Sequence, residues 1–247
     1  MRWVLLPGFD GTGILFEPFL RSLPAGVVAQ VVIYPTDRVC SADEFAQIAL
    51  AVLPKSEPYV LIAESCSGPI ALKISIMHPL PPVAIVLCAS FATCPVSRGL
   101  IAMLDFCGGL LCRFRLPRWA VKRYLLAGAS DEVLSLFYTA INSMPPRVLA
   151  SRFGVLRAFD ASFAPRSINQ PMLYLQATRD RIVAAQNGHL IQQRYPHVRM
   201  ERIDSPHLIL QSQPQAAARA VSAFVAWASP PAVSRGVPPP VSDFEME

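Results

Sequence analysis

The fold can be predicted from one stretch of the chain, Val60-Leu61-Ile62-Ala63-Glu64-Ser65-Cys66-Ser67-Gly68-Pro69-Ile70-Ala71-Leu72. Its first residues form an apolar run suited to a buried β-strand, and its last residues begin a helical pattern. Between them lies a serine among small residues. This is the layout of a nucleophile elbow, in which a sharp strand-to-helix turn lifts a serine hydroxyl above the sheet.

The residue types around the turn identify the serine at its tip. The strained backbone requires small neighbours two residues before it and two or three after it. With Ser65 at the tip, these neighbours are Ala63, Ser67 and Gly68. Placing Cys66 at the tip would put Glu64 in a tight position, and placing Ser67 there would put Pro69 in one. We therefore predict Ser65 as the nucleophile, although a serine in an ordinary Gly/Ser turn before a helix is the alternative.

Length and composition limit the class of protein. The 247 residues suffice for one large domain, or for one domain with an insertion. Mean hydropathy is +0.38, but Pro, Gly or a charge interrupts every long apolar stretch, so we expect no integral membrane segment. The apolar run Met1–Gly8 is too short for a signal peptide, which favours a cytoplasmic location. The six cysteines match no disulfide or metal pattern, and phosphate-loop and dinucleotide motifs are missing, so we expect no metal and no cofactor.

Short β-type runs alternate with helical patterns, which is typical of an α/β fold with a mostly parallel sheet and helices on both faces. The predicted strands are Arg2–Leu6, Val28–Tyr34, Tyr59–Ala63, Val83–Cys88, Pro171–Gln176 and Val198–Ile203. The predicted helices are Ser41–Leu53, Pro69–His78, Ala184–Tyr195 and Pro214–Trp227.

The alternation stops in residues 91–168, where helical periodicity is broken at Gly108-Gly109, Pro117, Gly128 and Pro145-Pro146. We interpret 91–168 as a helical cap inserted over the carboxyl edge of the sheet, where α/β folds bind ligands. Residues 1–90 and 169–228 would then form the core. The tail 229–247 is rich in proline and then acidic, and we predict that it is disordered.

A serine nucleophile needs a base, and the base needs an orienting group. Among the four histidines, His207 follows the last predicted strand and precedes a helix, so its loop can bring the imidazole over the serine. The alternative is a solvent-exposed loop histidine. The acid should follow an earlier strand on the same edge, and Asp180 does so. Asp180 could instead be a turn residue or an arginine partner. Asp204 suits a structural role better, and Ser90 lacks a carboxylate.

The intermediate of acyl transfer carries a negative oxygen that two N–H groups must stabilise. The backbone of Cys66, directly after the serine, would supply one donor. The loop Leu6–Gly13, Leu-Pro-Gly-Phe-Asp-Gly-Thr-Gly, would supply the other through the amide of Phe9, because its glycines allow close backbone approach. The alternative is an ordinary Gly-rich turn.

These motifs, with serine, acid and histidine in this order, resemble the α/β-hydrolase superfamily. The loop Leu6–Gly13 looks like the family's oxyanion loop, usually His-Gly-x-x-Gly-Ser/Thr. Ala63–Gly68 is similar to the common Gly-His-Ser-Met-Gly-Gly. Pro171–Val183 matches the acid strand and turn, and His207–Pro214 matches the histidine loop. The resemblance covers nearly the whole chain except the cap and the tail, and it implies an α/β-hydrolase fold with a Ser65–His207–Asp180 triad.

Two departures from the family pattern lie near the predicted site. Pro7 replaces the loop histidine, which is not a member of the triad. Glu64 takes the place of the histidine or aromatic residue that precedes the nucleophile in the family, so a carboxylate lies beside the serine. We expect Glu64 and Asp10 to contact substrate, with a solvent-facing Glu64 as the alternative.

A serine nucleophile predicts hydrolysis of a carboxylic ester or thioester through an acyl-enzyme. The cap is rich in Leu, Phe, Met and Ile, which suits an apolar acyl group, although these residues would also pack cap helices together. Ten basic against four acidic residues between Phe91 and Gln170 give the cap a net charge of +6. Such a surface could attract an acidic carrier, for example acyl carrier protein or coenzyme A, or could be merely solvated.

Other functions stay open at this point. Nucleic-acid binding is not expected, because no recognition motif accompanies the charge. An acyltransferase would use the same residues, with an alcohol or amine in place of water. A non-catalytic hydrolase-like binding protein is the third possibility, which a complete triad disfavours.

Overall fold

The computed structural model describes residues 1–94, 117–159 and 163–229. Its centre is a six-stranded sheet with the strand order β2-β1-β3-β4-β5-β6, and every strand pairing in the described residues is parallel. The strands are β1 (Arg2–Leu6), β2 (Val28–Val31), β3 (Tyr59–Glu64), β4 (Ala84–Cys88), β5 (Met172–Ala177) and β6 (Arg199–Ile203). The predicted parallel sheet is confirmed.

Helices cover both faces of this sheet, as predicted. Those of the described residues are α1 (Glu17–Leu20), α2 (Ala42–Val52), α3 (Gly68–Met77), α4 (Arg118–Tyr124), α5 (Asp131–Asn142), α6 (Pro146–Leu156), α7 (Gln186–Arg194), α8 (Ile209–Ser212) and α9 (Pro214–Ala228). Successive strand residues point to opposite faces. Val4 therefore packs in the core beneath α2, α3 and α7, whereas Leu5 packs beneath α1, α8 and α9.

Strand β2 is shorter than its predicted span of Val28–Tyr34. Past Val31 the chain still donates from Val32 N to Leu5 O, at 2.9 Å, but then turns toward the loop after β1. There Tyr34 N donates to Gly11 O at 2.8 Å. Val32 and Tyr34 are buried although Val28 and Ile33 are exposed, and pairing with a loop rather than with a strand ends β2 early.

Helices α4, α5 and α6 lie between β4 and β5, in the segment predicted as a helical cap. Pro117 and Pro145 precede α4 and α6, where a fixed φ favours a helix start. The predicted break at Gly108-Gly109 lies outside the described residues. A separate core joins Val121, Leu134 and Phe137 of these helices to Leu15 and Leu208, which lie in the loops after β1 and β6. The cap helices thus pack against the carboxyl edge of the sheet. The limits of the cap as a domain stay a prediction.

Two further predictions from the sequence concern the C-terminal tail and membrane-spanning segments. The predicted disordered tail lies outside the described residues from position 230 onward. Within the described residues, none of the helices has the length and apolarity that crossing a bilayer requires.

Candidate active site

The turn after β3 has the geometry predicted for a nucleophile elbow. Ser65 adopts φ = +51°, a left-handed conformation that costs a non-glycine residue about 1–3 kcal/mol. A 3-10 turn over Ser65–Ser67 leads directly into α3. A Cβ on Gly68 would lie 1.8 Å from the Ser90 hydroxyl oxygen, so only glycine fits there. This contact explains why the residue three positions after the serine has to be small.

Hydrogen bonds from neighbouring loops hold the strained turn in place. Ser90, just past β4, donates from its hydroxyl to the carbonyl oxygen of Ser65 at 2.6 Å. Ser67 donates from its hydroxyl to the carbonyl oxygen of Pro7 in the loop after β1. Tyr174 of β5 in turn donates to the carbonyl oxygen of Ser90 at 2.8 Å. The turn is therefore held by the segments after β1 and β4, and Tyr174 of β5 holds Ser90 in turn.

The structure brings together the three residues predicted for the triad. His207 Nε2 lies 3.0 Å from Ser65 Oγ, and His207 Nδ1 lies 2.8 Å from Asp180 Oδ2. The side chains of His207 and Asp180 are only 4% and 5% exposed. An imidazole held in this way can accept the serine proton through Nε2, while the carboxylate stabilises the imidazolium that results.

Asp180 is anchored independently of the histidine. Its Oδ1 accepts hydrogen bonds from the backbone N–H groups of Ile182 and Val183, at 2.8 and 2.9 Å. These bonds close a turn just after β5, which leaves Oδ2 free for His207. The alternative in which Asp180 is a partner of a neighbouring arginine does not match these contacts.

Asp204, the rival acid, lies elsewhere. Its carboxylate accepts from Arg179 Nε at 2.7 Å and from the Thr178 hydroxyl at 3.1 Å, on the surface. The hydrogen bond from Arg179 is the main reason that the pKa of Asp204 is lowered. Asp204 therefore ties the end of β6 to the end of β5, in line with the structural role expected of it.

The Gly-rich loop after β1 lies against the serine. A Cβ on Gly8 would be 3.7 Å from Ser65 Cβ, so the loop backbone passes close to the nucleophile. The loop is closed by Asp10, which is 4% exposed and whose Oδ2 accepts from Thr12 N at 2.9 Å and from the Thr12 hydroxyl. Phe9 and Cys66 line one small cavity. That the N–H groups of Phe9 and Cys66 donate to the oxyanion stays a prediction. Contact between Asp10 and substrate also stays a prediction.

Solved structures with low sequence identity share this architecture. A hydrolase from Oleispira antarctica is 14% identical and has a TM-score of 0.74, covering 91% of this chain and 90% of its own. A thermophilic esterase from Thermogutta terrifontis is 18% identical, with a TM-score of 0.73 and coverages of 92% and 90%. The enol-lactonase from Burkholderia xenovorans LB400 is 14% identical, with a TM-score of 0.73 and coverages of 91% and 91%. This chain has the α/β-hydrolase fold.

The fold that the sequence motifs implied is thereby confirmed. No protein-family model matches the chain, and no curated protein does so either. At such identities the similarity establishes the α/β-hydrolase fold alone, so activity has to be argued from the side chains.

Glu64, the unusual neighbour of the serine in this α/β-hydrolase fold, is buried rather than solvent-facing. It is 1% exposed, and its Oε2 accepts from Gln211 Nε2 at 3.2 Å. The pKa of Glu64 is raised to about 8, mainly by burial and also by the negative charge of Asp10, while the hydrogen bond from Gln211 opposes both. Oε1 of Glu64 and Oε1 of Gln211 have no hydrogen-bond partner. Whether Glu64 contacts substrate stays a prediction.

The thiol of Cys66, beside the serine, stays protonated near neutral pH. Burial raises the pKa of Cys66 to about 12, although the positive charge of Arg152 opposes this. Because the thiolate is the nucleophilic form of cysteine, a thiol with so high a pKa does not compete with Ser65 near neutral pH.

Two residues at the site, Gln211 and Arg152, were not predicted from the sequence. Gln211 lies in α8, four residues after His207, and no local pattern links it to Glu64. Arg152 of α6 is 5% exposed and lines the same cavity as Phe9 and Cys66. Its position depends on how α6 packs against the loop after β1, which no local pattern signals.

Proposed function

We propose that this protein is a serine hydrolase that cleaves a carboxylic ester or thioester of an apolar acyl group. The observation that carries the proposal is the pair of hydrogen-bond distances linking Ser65, His207 and Asp180, 3.0 and 2.8 Å, in a buried setting. A strained serine beneath an oriented imidazole is the arrangement that activates a hydroxyl for attack.

The reaction would proceed in two halves. Ser65 Oγ attacks the carbonyl carbon while its proton passes to His207 Nε2, and Asp180 stabilises the imidazolium. The backbone N–H groups of Phe9 and Cys66 donate to the negative oxygen of the tetrahedral intermediate. When the C–O or C–S bond breaks, His207 returns the proton to the leaving alcohol or thiol. Water then attacks the acyl-enzyme with the same base, which releases the acid and restores the Ser65 hydroxyl.

The preference for an apolar acyl group is supported by the side chains around the small cavity beside Cys66, the residue after the nucleophile. Most of them are apolar, among them Phe9, Phe45, Val155, Leu156 and Phe159, and Tyr34, Ser67 and Arg152 complete the walls. Two proteins that share the fold are an esterase and an enol-lactonase, and both of these activities break an acyl C–O bond. Both observations support ester chemistry over other reactions of the fold.

Recruitment of an acidic carrier through the cap is a weaker part of the proposal. Arg98, Arg113 and Arg115 lie outside the described residues. Of those described, Lys122 lies 2.9 Å and Arg118 3.7 Å from the Asp131 carboxylate, so part of the positive charge is already paired. Binding to acyl carrier protein or coenzyme A therefore stays a prediction from net charge.

Hydrolysis of p-nitrophenyl esters of short and medium acids tests the proposal. We expect measurable turnover that S65A or H207A lowers by roughly four to six orders of magnitude. D180N should lose roughly three to four orders, because the imidazole is no longer correctly oriented. D204N is the matched control, since it makes the same change at the surface carboxylate, and it should retain activity.

The same assay separates the rival functions. An acyltransferase would form the acyl-enzyme but release it faster when an alcohol or amine is added. A non-catalytic binding protein would show no turnover in any variant. Full activity in S65A, or greater damage from D204N than from D180N, would contradict the assignment of the triad.

A further inference from the structure

Glu64 is a buried acid that joins three parts of the candidate active site. It is the last residue of β3, directly before Ser65, and it is 1% exposed. A Cβ on Gly8 would lie 3.6 Å from Glu64 Oε2 and 3.7 Å from Ser65 Cβ, so the carboxyl packs against the loop after β1 beside the nucleophile. Gln211 Nε2 donates to the same carboxyl oxygen at 3.2 Å, from a short helix that begins two residues after His207.

No basic side chain in the described part of the chain forms an ion pair with Glu64. Asp10, in the loop after β1, acts on it as a negative charge. Arg152 of α6 acts on Asp10 and Cys66 rather than on Glu64. The thiols of Cys66 and of Cys88, the β4 residue paired with Glu64, have pKa values that burial raises, to about 12 for Cys66. An ionised Glu64 would therefore be a buried charge without a counter-charge, which is costly.

Two buried oxygen atoms in this cluster have no hydrogen-bond partner, Glu64 Oε1 and Gln211 Oε1. Both can only accept as long as Glu64 is ionised, so neither can satisfy the other. A protonated carboxyl has an O–H donor, and a carboxylic acid and an amide can then share two hydrogen bonds, one in each direction. The neutral acid therefore suits this position. The pKa of Glu64, raised to about 8 mainly by burial, agrees with that conclusion.

We propose that Glu64 is a positioning residue that supports catalysis only in its neutral form. Neutral Glu64 joins the loop that carries Phe9 to the helix that carries Gln211, and so holds the proposed oxyanion donor beside Ser65. An ionised Glu64 would break the acid–amide pair. It would also repel the negative oxygen of the tetrahedral intermediate, because like charges interact strongly in a buried site. The inference rests on the proposed hydrolase function and adds control of the same site by pH.

The ratio of kcat at pH 9 to kcat at pH 7 for a neutral p-nitrophenyl ester tests this inference. Protonation of a histidine base removes activity on the acid side only. The neutral fraction of Glu64 falls from about nine-tenths at pH 7 to about one-tenth at pH 9, so wild-type kcat should fall about tenfold. Protein kept at pH 7 is diluted into each buffer and initial rates are read, so that slow unfolding does not contribute. A ratio at or above one would overturn the inference.

Two variants separate the charge of Glu64 from its hydrogen bonds. E64Q cannot ionise but can still hydrogen-bond with Gln211, so its ratio should be one or higher. E64L can do neither. It should also keep its activity up to pH 9, but its kcat at pH 7 should be roughly 3- to 10-fold below that of E64Q with little change in KM, the effect of a lost hydrogen bond. Equal kcat values in E64L and E64Q would overturn the positioning role.

E201Q is the matched control, because it makes the same change at an exposed position of β6. It should keep the tenfold fall of the wild type. If E64Q also kept that fall, another group would be its source, and the inference would be wrong. If E64Q does not fold, the wild-type profile decides alone, since a flat profile between pH 7 and pH 9 contradicts the inference.

Labelling of Ser65 by a fluorophosphonate gives a second readout that needs no substrate. Attack on phosphorus also builds up negative charge on an oxygen beside the loop after β1, so the labelling rate of the wild type should fall between pH 7 and pH 9, and that of E64Q should not. Equal labelling profiles would overturn the inference while leaving ester hydrolysis intact. A lack of turnover with every ester would instead refute the proposed hydrolysis.

Discussion

The buried carboxyl group of Glu64 makes the stability of this protein dependent on pH. In the folded protein its pKa is about 8, mainly because burial disfavours the charged form, against an ordinary value of 4.5. Well below pH 4.5 the group is protonated in both states, and folding is not penalised. As the pH rises above that value the unfolded chain loses the proton while the folded protein keeps it, so the free energy of unfolding falls until the pH passes the folded pKa.

The size of this effect follows from the two pKa values. At pH 7 the unfolded carboxyl lies about 2.5 pH units above its own pKa, and each unit corresponds to about 1.36 kcal/mol. Keeping Glu64 protonated therefore costs about 3 kcal/mol of stability at neutral pH, which is a large share of the ~5–15 kcal/mol that holds a typical domain folded.

E64Q isolates this contribution, because glutamine has nearly the same shape and cannot ionise. Its amide can also donate to the Oε1 atom of Gln211, which is buried without a partner in the wild type. Urea unfolding should give similar stabilities for wild type and E64Q near pH 5. Near pH 8 the variant should be more stable than wild type by about 4 kcal/mol.

A surface carboxylate provides the control for this experiment. E201Q makes the same substitution at an exposed position of β6 and should follow the wild type at every pH. If the stability of E64Q fell with pH as steeply as that of the wild type, Glu64 would not be the source of the dependence, and its assignment as a neutral buried acid would be refuted.

The tight turn and one helix start give two further predictions. G68A should lose most esterase activity and about 2 kcal/mol or more of stability, because the new Cβ overlaps the Ser90 hydroxyl, and thermal unfolding with an ester assay measures both. G26A, whose Cβ would meet open space but whose φ is +84°, should lose some stability through backbone strain and retain activity, and an equal loss of activity in the two variants would refute the packing argument. S41A removes the side chain that accepts from Glu44 N in a capping box on α2, and should lower the free energy of unfolding in urea by about 1 kcal/mol with no change in kcat/KM.

Much of the fold was predictable because its signals are local. Buried strands such as β3 and β4 are continuous apolar runs in the sequence, and α2 begins at a capping box that four residues define. The predicted strand and helix ends differ from the observed ones by a few residues, most of all at β2. There a hydrogen bond to the loop after β1 replaces strand pairing, and only the folded chain brings those two segments together.

In the candidate site, too, some residues could be predicted from local sequence, and others depend on packing between distant segments. Ser65, Asp180 and His207 each follow a strand end, and parallel strands place such ends on one edge of the sheet. Their proximity could therefore be inferred without coordinates. The burial of Glu64 against Gln211, and of Arg152 between α2 and the loop after β1, depends on packing between segments far apart in the chain. Neither the charge nor the spacing of these residues distinguishes them from surface side chains.

The nucleophile is the central claim, and covalent labelling tests it most directly. The protein would be treated with a fluorophosphonate, and the modified residue located by mass spectrometry of its peptides. We expect a single adduct on Ser65, no adduct in S65A, and much slower labelling in H207A, because the hydroxyl then lacks its base. Labelling of Ser67 or another residue, or an unmodified Ser65 in folded wild-type protein, would contradict the account.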